Sequence, residues 1–256
     1  MLTRKRILEW EQTYGNREAY ANAALKFAMD ADKALESDRD DLPGNLRERA
    51  DRCWEESLAL YGTLLKEGMS SKDMSMYRYG LFARADVMAA RRRYEDAVRY
   101  IRIGQGMLPK ECAEEGRNQY VDLIDQFHAR RLLAEVYLAM FREEEALQEA
   151  EAALLFAGRM AERYPSRLGS RLATAYSLLA EIYYRQHNGE EAAAMCEKAG
   201  EAWLAFAGET GYPWKRAELD YIRGRICLEQ GDTAGAREWD QKAFGRTQEP
   251  AVKKTL

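Results

Sequence analysis

Apolar residues recur at spacings of three and four along most of this 256-residue chain, as they do on one face of an α-helix. Leu81, Ala85 and Met88 show this spacing in one segment, and Ala97 and Ile101 continue it in the next. Strand signals are nearly absent, because β-branched residues are few and no alternating run is flanked by an Asn-Gly or Asp-Gly turn. The pattern therefore predicts an all-α protein with more than about 60% helix and essentially no strand.

Prolines separate the periodic segments. A helix cannot continue through a proline, because the residue lacks the backbone N–H and its ring clashes with the preceding turn. The five prolines are Pro43, Pro109, Pro165, Pro213 and Pro250.

One pattern occurs four times between these breaks: a helix, a short polar break, and a second helix that opens with a small residue. In its two most similar copies, "LLAEVYLAMFREEEAL" and "LLAEIYYRQHNGEEAA" start 46 residues apart. The small residues lie 49, 46 and 44 residues apart, at Ala97, Ala146, Ala192 and Ala236. A fifth, weaker unit is predicted upstream. Helical hairpins with a fixed period indicate a solenoid, here one domain over 1–256 with repeats at about 15–68, 71–109, 117–163, 166–210 and 213–246.

These repeats resemble the tetratricopeptide repeat over about residues 15–246. That family has a large apolar residue, Leu-Gly or Leu-Ala and Tyr in its first helix, then a polar break, two alanines around an aromatic residue, and a proline. The matching residues are Leu81, Ala85, Met88, Tyr94, Ala97, Ile101 and Pro109; Leu133, Ala134, Tyr137, Ala146 and Ala153; Tyr176, Leu179, Ala180, Tyr183, Ala192 and Ala199; Gly224, Gly231, Asp232, Ala236 and Ala243. The resemblance implies a right-handed superhelical solenoid of about five helical hairpins. The period is longer than the family's roughly 34 residues, and such long repeats resemble those of bacterial sensor and regulator arms.

In that family, positions two, five, nine and twelve of each first helix line the concave side, and this spacing falls on one helix face. The corresponding residues here are Tyr79, Phe82, Asp86 and Ala89; His128, Arg131, Glu135 and Leu138; Thr174, Ser177, Glu181 and Tyr184; Glu218, Tyr221, Arg225 and Leu228. Aromatic rings and mixed charges favour a recognition surface. The alternative is a face whose charges only keep the groove in solution.

The resemblance implies a non-enzymatic scaffold that binds a protein or peptide in its concave groove. The alternative is a regulatory protein that senses a small peptide and changes the curvature of the solenoid. The carboxylate clamp of this family is disfavoured, because its lysine and asparagine positions hold Phe82, Asp86, Arg131 and Glu135.

Asp86, Glu135 and Glu181 occupy the equivalent position in three successive repeats. Their carboxylates are therefore predicted to form a row along the groove, the acidic ladder, that attracts a basic ligand segment. Arg131 and Arg225 are expected to bound this ladder. An apolar ligand residue is expected against Phe82, Tyr184 or Tyr221.

The overall charge disfavours nucleic acid as a partner. The chain has 39 basic and 43 acidic side chains, a net charge of −4, whereas nucleic-acid-binding domains usually carry a basic surplus. The runs Arg91-Arg92-Arg93 and Arg4-Lys5-Arg6 could form a patch, but the first is better explained as cations at a helix C-terminus. Self-association stays open.

We expect a cytoplasmic protein, without a membrane span. The first residues lack the apolar stretch of a secretory signal, and no run approaches the roughly 18 apolar residues of a transmembrane helix. The four cysteines are scattered without close pairs, which favours buried thiols in a reducing compartment.

No catalytic motif, metal-ligand set or phosphate-binding loop is present, so we expect no enzyme activity and no cofactor. Only two histidines occur. His187 falls in an inter-helix break and is expected to be exposed, and His128 is a candidate groove residue. Cys196 replaces the second-helix aromatic residue and is expected to be buried and inert. Glu143, Glu144 and Glu145 are read as the favourable acidic start of a helix.

Overall fold

The structure, a computed structural model, describes residues 16–36, 44–68, 71–108, 119–208 and 211–248. Of these residues 88% are helical and none lies in a strand, which confirms the all-α prediction. The described residues form five helical hairpins, as predicted. Their helices are α1 (Arg17–Glu36), α2 (Leu46–Glu67), α3 (Ser71–Ala90), α4 (Tyr94–Gly106), α5 (Gln119–Ala139), α6 (Glu143–Arg163), α7 (Arg171–Arg185), α8 (Gly189–Ala207), α9 (Pro213–Glu229) and α10 (Thr233–Gln248).

The helices fall into two compact units, residues 1–107 and 108–256. The N-terminal unit contains the hairpins α1–α2 and α3–α4, and the C-terminal unit contains α5–α6, α7–α8 and α9–α10. Within the C-terminal unit, α5 contacts α7 and α7 contacts α9, while α6 and α8 each contact the first helix of the next hairpin. Each hairpin therefore buries its apolar face against its neighbours, as in a helical solenoid.

Small residues set the distance between paired helices. The alanines that open the second helices are all buried, as predicted: Ala97, Ala146, Ala192 and Ala236. A glycine serves the same purpose in α4, where the Phe82 ring lies against Gly104 so closely that a Cβ atom there would come within 2.6 Å of the ring. Close approach of the backbones lets the larger apolar side chains fill the remaining space.

Four hairpins share one type of connection. The helices are joined by three residues, of which the middle one is left-handed with a φ of 59°, 59°, 57° or 80°, at Arg92, Phe141, His187 and Gly231. The residue after it donates its N–H to the carbonyl five positions back, as Arg142 does to Tyr137 at 2.9 Å. This is the hydrogen bond that commonly closes a helix at a left-handed residue, and it leaves His187 exposed, as predicted.

Other sequence signals mark helix ends as expected. Pro165 begins a single turn of 3-10 helix (Pro165–Arg167), Pro213 begins α9, and Glu143 begins α6. Predictions for Pro43, Pro109, Pro250, Cys112 and the run Arg4–Arg6 concern positions outside the described residues.

A partly buried ionic network, in which Asp32 and Arg84 are the most buried charges, joins helices of the N-terminal unit. Arg91 donates from Nη2 to Asp32 Oδ1 at 2.9 Å and from Nη1 to Asp51 Oδ1 at 2.6 Å. Arg84 donates to the same Asp51 oxygen at 2.9 Å, and the Trp54 indole N–H donates to Asp32 Oδ2 at 2.5 Å. Arg91 follows the C-terminus of α3, as the sequence suggested, but it joins α1, α2 and α3 rather than forming a surface patch.

Candidate functional site

A groove of about 1010 Å³ runs along the C-terminal unit. This volume is at the upper end of the range for sites that bind small molecules or short peptide segments. Five helices line it: α5 through Glu135; α7 through Thr174, Ser177, Leu178, Glu181, Tyr184 and Arg185; α8 through Trp203; α9 through Trp214, Lys215, Ala217, Glu218, Leu219, Tyr221 and Ile222; and α10 through Asp240, Ala243, Phe244 and Thr247.

Part of the predicted concave face is brought together in this groove. The predicted positions that line it are Glu135, Thr174, Ser177, Glu181, Tyr184, Glu218 and Tyr221. All of them lie on first helices of successive hairpins, where α7 contacts both α5 and α9. The predicted helix faces therefore bring these seven positions to one groove of the C-terminal unit.

Two predicted groove residues are inaccessible to a ligand. Phe82 is only 4% exposed, because its ring packs against Gly104 within its own hairpin. Leu138 is equally buried, and its carbonyl oxygen accepts a hydrogen bond from Arg185 Nη1 at 3.2 Å. Both side chains belong to the core, so neither can provide the apolar contact expected of a groove residue.

The remaining predicted positions lie elsewhere. Tyr79 and Asp86 are exposed on α3 of the N-terminal unit, and Arg225 is exposed on α9 outside the groove lining. Arg225 hydrogen-bonds the Tyr184 side chain, and this bond is the main reason why the pKa of the guanidinium is raised. Arg225 therefore holds a groove tyrosine in place instead of bounding a run of carboxylates.

The groove carboxylates are mostly paired on their own helices. Arg131 Nη1 donates to both oxygens of Glu135 at 2.6 Å, and Arg185 donates to Glu181 at 2.7 Å. These pairs offset the negative charge that the predicted acidic ladder was expected to present. Arg131 thus neutralises Glu135, contrary to its expected role of bounding the ladder.

Asp240 is the exception among the groove carboxylates. Glu218 pairs with Lys215 at 2.9 Å, whereas Asp240 on α10 is exposed and forms no salt bridge with any described residue. The charge of Asp240 does contribute to the raised pKa of Arg225, so the two side chains interact without forming a salt bridge. An incoming cation can therefore pair with Asp240 without breaking a salt bridge. This residue was missed by the sequence analysis.

Exposed aromatic rings form the apolar part of the groove. Tyr221 is 54% exposed, Phe244 is 67% exposed, and Trp214 is similarly open to solvent. Trp203 also lines the groove but is buried, and its indole N–H donates to Ser177 Oγ at 3.1 Å, which fixes the ring. Large exposed rings together with a buried, hydrogen-bonded one are typical of surfaces that anchor a partner's side chains.

The aromatic groove residue of α10, Phe244, was not predicted, because the repeat pattern assigns groove positions to first helices only. Within the described residues no hairpin covers α10, and Ala236 is its one buried residue. Phe244, an aromatic residue on this last helix, was the available signal.

His128 lies beside the groove residues but faces a positive environment. Burial and the charges of Arg131 and Arg171 lower its pKa to about 4, and its Nδ1 lies 3.3 Å from Arg131 Nη2. The residue is therefore neutral at physiological pH and packs as part of the protein, although it does not line the groove.

Lowering the pH is expected to destabilise the protein through His128. The unfolded chain binds a proton near pH 6.5, whereas the folded chain does so only near pH 4, so this contribution to stability is lost as pH falls between those values. His128→Gln should flatten the pH dependence of the free energy of unfolding, measured by urea denaturation at pH 7 and pH 5. His187→Gln is the matched control, and an equal effect of both substitutions would contradict the prediction.

Cys196 on α8 lies in the core of the C-terminal unit. Cys196 is fully buried, and burial raises the pKa of its thiol to about 11, as expected for an inert cysteine. The described part of the chain contains no cluster of three or more His, Cys, Asp or Glu side chains able to hold a metal ion. None of its helices is long and apolar enough to cross a membrane.

Comparison with known proteins supports the fold. No protein-family model matches the chain, and no curated protein matches it. The crystal structure of BtubC (BKLC) from P. vanneervenii is similar over 94% of this chain and 96% of the BtubC chain, with a TM-score of 0.59 and 14% sequence identity. At this low identity the likeness concerns the all-α fold alone.

Proposed function

We propose that this protein is a non-enzymatic binding scaffold of the long-repeat tetratricopeptide type, which holds a protein or peptide segment in its C-terminal groove. The observation that carries the proposal is the groove itself, with exposed Trp214, Tyr221 and Phe244 beside Asp240, a carboxylate that forms no salt bridge with a described residue. The repeat period and the scattered cysteines favour a bacterial protein that acts in the cytoplasm.

The preferred ligand segment has one basic residue and one apolar residue. Asp240 attracts Lys or Arg, and the aromatic rings accept an aliphatic or aromatic side chain and add cation–π attraction. The other carboxylates contribute less, since Glu135, Glu181 and Glu218 already have cationic partners. This places the recognition of charge on α10 instead of on the predicted ladder.

Selection from a random peptide library tests the proposal. Displayed dodecapeptides are selected on the immobilised chain, and the enriched sequences are expected to combine Lys or Arg with an aromatic or aliphatic residue. Synthetic peptides of those sequences should bind in calorimetry. Tyr221→Ala and Phe244→Ala should each weaken the Kd at least about tenfold, the loss expected of a central aromatic anchor, and Asp240→Asn should reduce the salt dependence of binding.

Leu155→Ala is the matched control for these variants. Leu155 on α6 has an exposed fraction of 55%, similar to the 54% of Tyr221, but it does not line the groove. Its replacement is expected to leave the Kd unchanged. Equal binding by the Tyr221→Ala, Phe244→Ala and Leu155→Ala proteins, all folded, would show that the groove is not the binding surface.

A further inference from the structure

The sequence that follows α10 has the chemistry that the groove is suited to bind. Residues 249–256 read Glu-Pro-Ala-Val-Lys-Lys-Thr-Leu and lie outside the residues that the structure describes. Thr247, one residue before the end of α10, lines the groove. Lys253 and Lys254, together with the apolar Val252 and Leu256, therefore follow in sequence a helix end that lies at the groove.

We propose that residues 249–256 dock in the C-terminal groove of their own chain and compete there with the external partner. This inference concerns the regulation of that groove and rests on the proposed function. The segment, named the tail below, acts as an internal ligand that any partner must displace.

The tail is long enough to bring a lysine to the carboxylate of Asp240. An α-helix rises about 1.5 Å per residue, so Asp240 lies about 12 Å along α10 from Gln248. Lys253 is five residues beyond Gln248, and a chain of that length spans at most about 17 Å. Pro250 disfavours continuation of the helix, which would carry the lysines away from Asp240. The tail can therefore fold back over α10.

Charge and apolar surface are complementary between the tail and the groove. Lys253 and Lys254 meet Asp240, which has no salt bridge with a described residue. Val252 and Leu256 can cover the exposed rings of Phe244 and Tyr221. One short segment thus offers partners both to the exposed apolar rings and to a carboxylate that lacks a salt bridge.

A tether makes even weak docking effective. A short flexible linker gives an effective concentration in the millimolar range. A tail with a Kd of about 0.1 mM as a free peptide would then occupy the groove about nine-tenths of the time. Under those conditions it weakens the apparent affinity of a competing segment about tenfold.

Zero-length cross-linking of the full chain tests the docking directly. A carbodiimide activates a carboxylate, and a neighbouring lysine amine attacks it to form an amide with net loss of water. Mass spectrometry is expected to find Lys253 or Lys254 joined to Asp240 within one chain. The Lys215–Glu218 pair, 2.9 Å apart, is the internal positive control, and Asp240→Asn should abolish the tail cross-link.

Two results would overturn the proposal. One is the absence of any cross-link between the tail lysines and groove carboxylates when the Lys215–Glu218 product forms. The other is a tail cross-link found only in covalent dimers, because the tail would then occupy the groove of a second copy.

Competition is measured with the peptides selected for the groove. The full chain with Lys253→Glu and Lys254→Glu should bind them about tenfold more tightly than the unchanged chain. Lys26→Glu with Lys66→Glu, at two exposed positions of the N-terminal unit, makes the same change in net charge and should have no such effect. Unchanged affinity in the tail variant would refute the competition. If no peptide is selected, the proposed function fails, whereas peptide binding without a tail cross-link refutes this inference alone.

Discussion

Replacement of Arg91 by methionine is expected to lower the free energy of unfolding by about 3–5 kcal/mol, the usual cost of removing one partner from a buried ion pair. Arg91 is the only described side chain that donates to both Asp32 and Asp51. Asp32 is 6% exposed, so without Arg91 its charge would be left with the Trp54 indole N–H as its described hydrogen-bond donor. Urea denaturation followed by circular dichroism measures the loss.

A neighbouring arginine provides the control for this substitution. Arg93 is mostly exposed and pairs with Asp96 three residues along the same segment, at 2.6 Å. Exposed pairs of this kind contribute between 0 and about 1 kcal/mol, so Arg93→Met should have little effect. A loss as small for Arg91→Met as for Arg93→Met would show that the network contributes no stability.

Removal of both charges separates the cost of an unpaired ion from the worth of the pair. Apolar replacement of a whole buried pair is often neutral. The double variant Arg91→Met, Asp32→Leu is therefore expected to recover part of the stability that Arg91→Met loses. A double variant that is less stable by the sum of the single losses would indicate no coupling between the two side chains.

The same network makes stability sensitive to acid. Burial opposes ionisation of Asp51, but hydrogen bonds and charge from Arg91 and Arg84 outweigh it and hold its pKa below the ordinary value of 3.8. A depressed carboxylate pKa stabilises the fold above pH 3.8, and this contribution is lost as pH falls through the folded-state value. In Arg91→Met, the pKa of Asp51 should move upward and this part of the acid dependence should shrink.

The sequence predicted the hairpins well because their determinants are local. A helix face repeats every three to four residues, and a small residue at the start of each second helix is needed wherever two backbones come close. Ala146 and Ala192 illustrate this, since each is fully buried at the predicted place. In these hairpins, the sequence spacing of the apolar and small residues is therefore enough to predict which face of each helix is buried.

Long-range contacts could not be predicted in this way. Arg91 and Asp32 are 59 residues apart, and nothing in the pattern of either helix shows that they meet. Glu135 and Arg131 lie on the same helix, so their pairing is local. It was nevertheless not predicted, because each position on the helix face was considered as a contact for a ligand and not as a partner for a neighbouring charge. The acidic ladder was therefore overestimated because charge was counted without its counter-ions.

The groove residues likewise fall into those that helix periodicity predicted and those whose exposure depends on long-range contacts. Tyr184 and Tyr221 were found from periodicity, whereas Phe82 was misplaced because its ring fits against a glycine on the facing helix. Phe244 and Asp240 were missed because their exposure depends on the described hairpins ending at α10. A second helix followed by another hairpin would have its outer face covered, so the same residues would be buried or absent in an internal repeat.

Replacement of Ala180 by arginine is expected to destabilise the C-terminal unit by several kcal/mol, about 3–5 kcal/mol. Ala180 is 0% exposed and belongs to the apolar cluster that contains Ala192 and Cys196. An arginine there would either bury an unpaired charge or force α7 and α8 apart. Ala192→Arg is expected to act in the same way, because it introduces the charge from the facing helix.

Ala193→Arg is the control, since Ala193 follows Ala192 on α8 but is exposed. Arginine has a high helix propensity, so this change should alter the free energy of unfolding by less than about 0.5 kcal/mol. Thermal and urea denaturation of the three full-chain variants would measure the difference. Unchanged melting of Ala180→Arg and Ala192→Arg would mean that the helix faces are assigned wrongly, and the groove, which is built on α7 and α9 in the same register, would have to be reassigned with them.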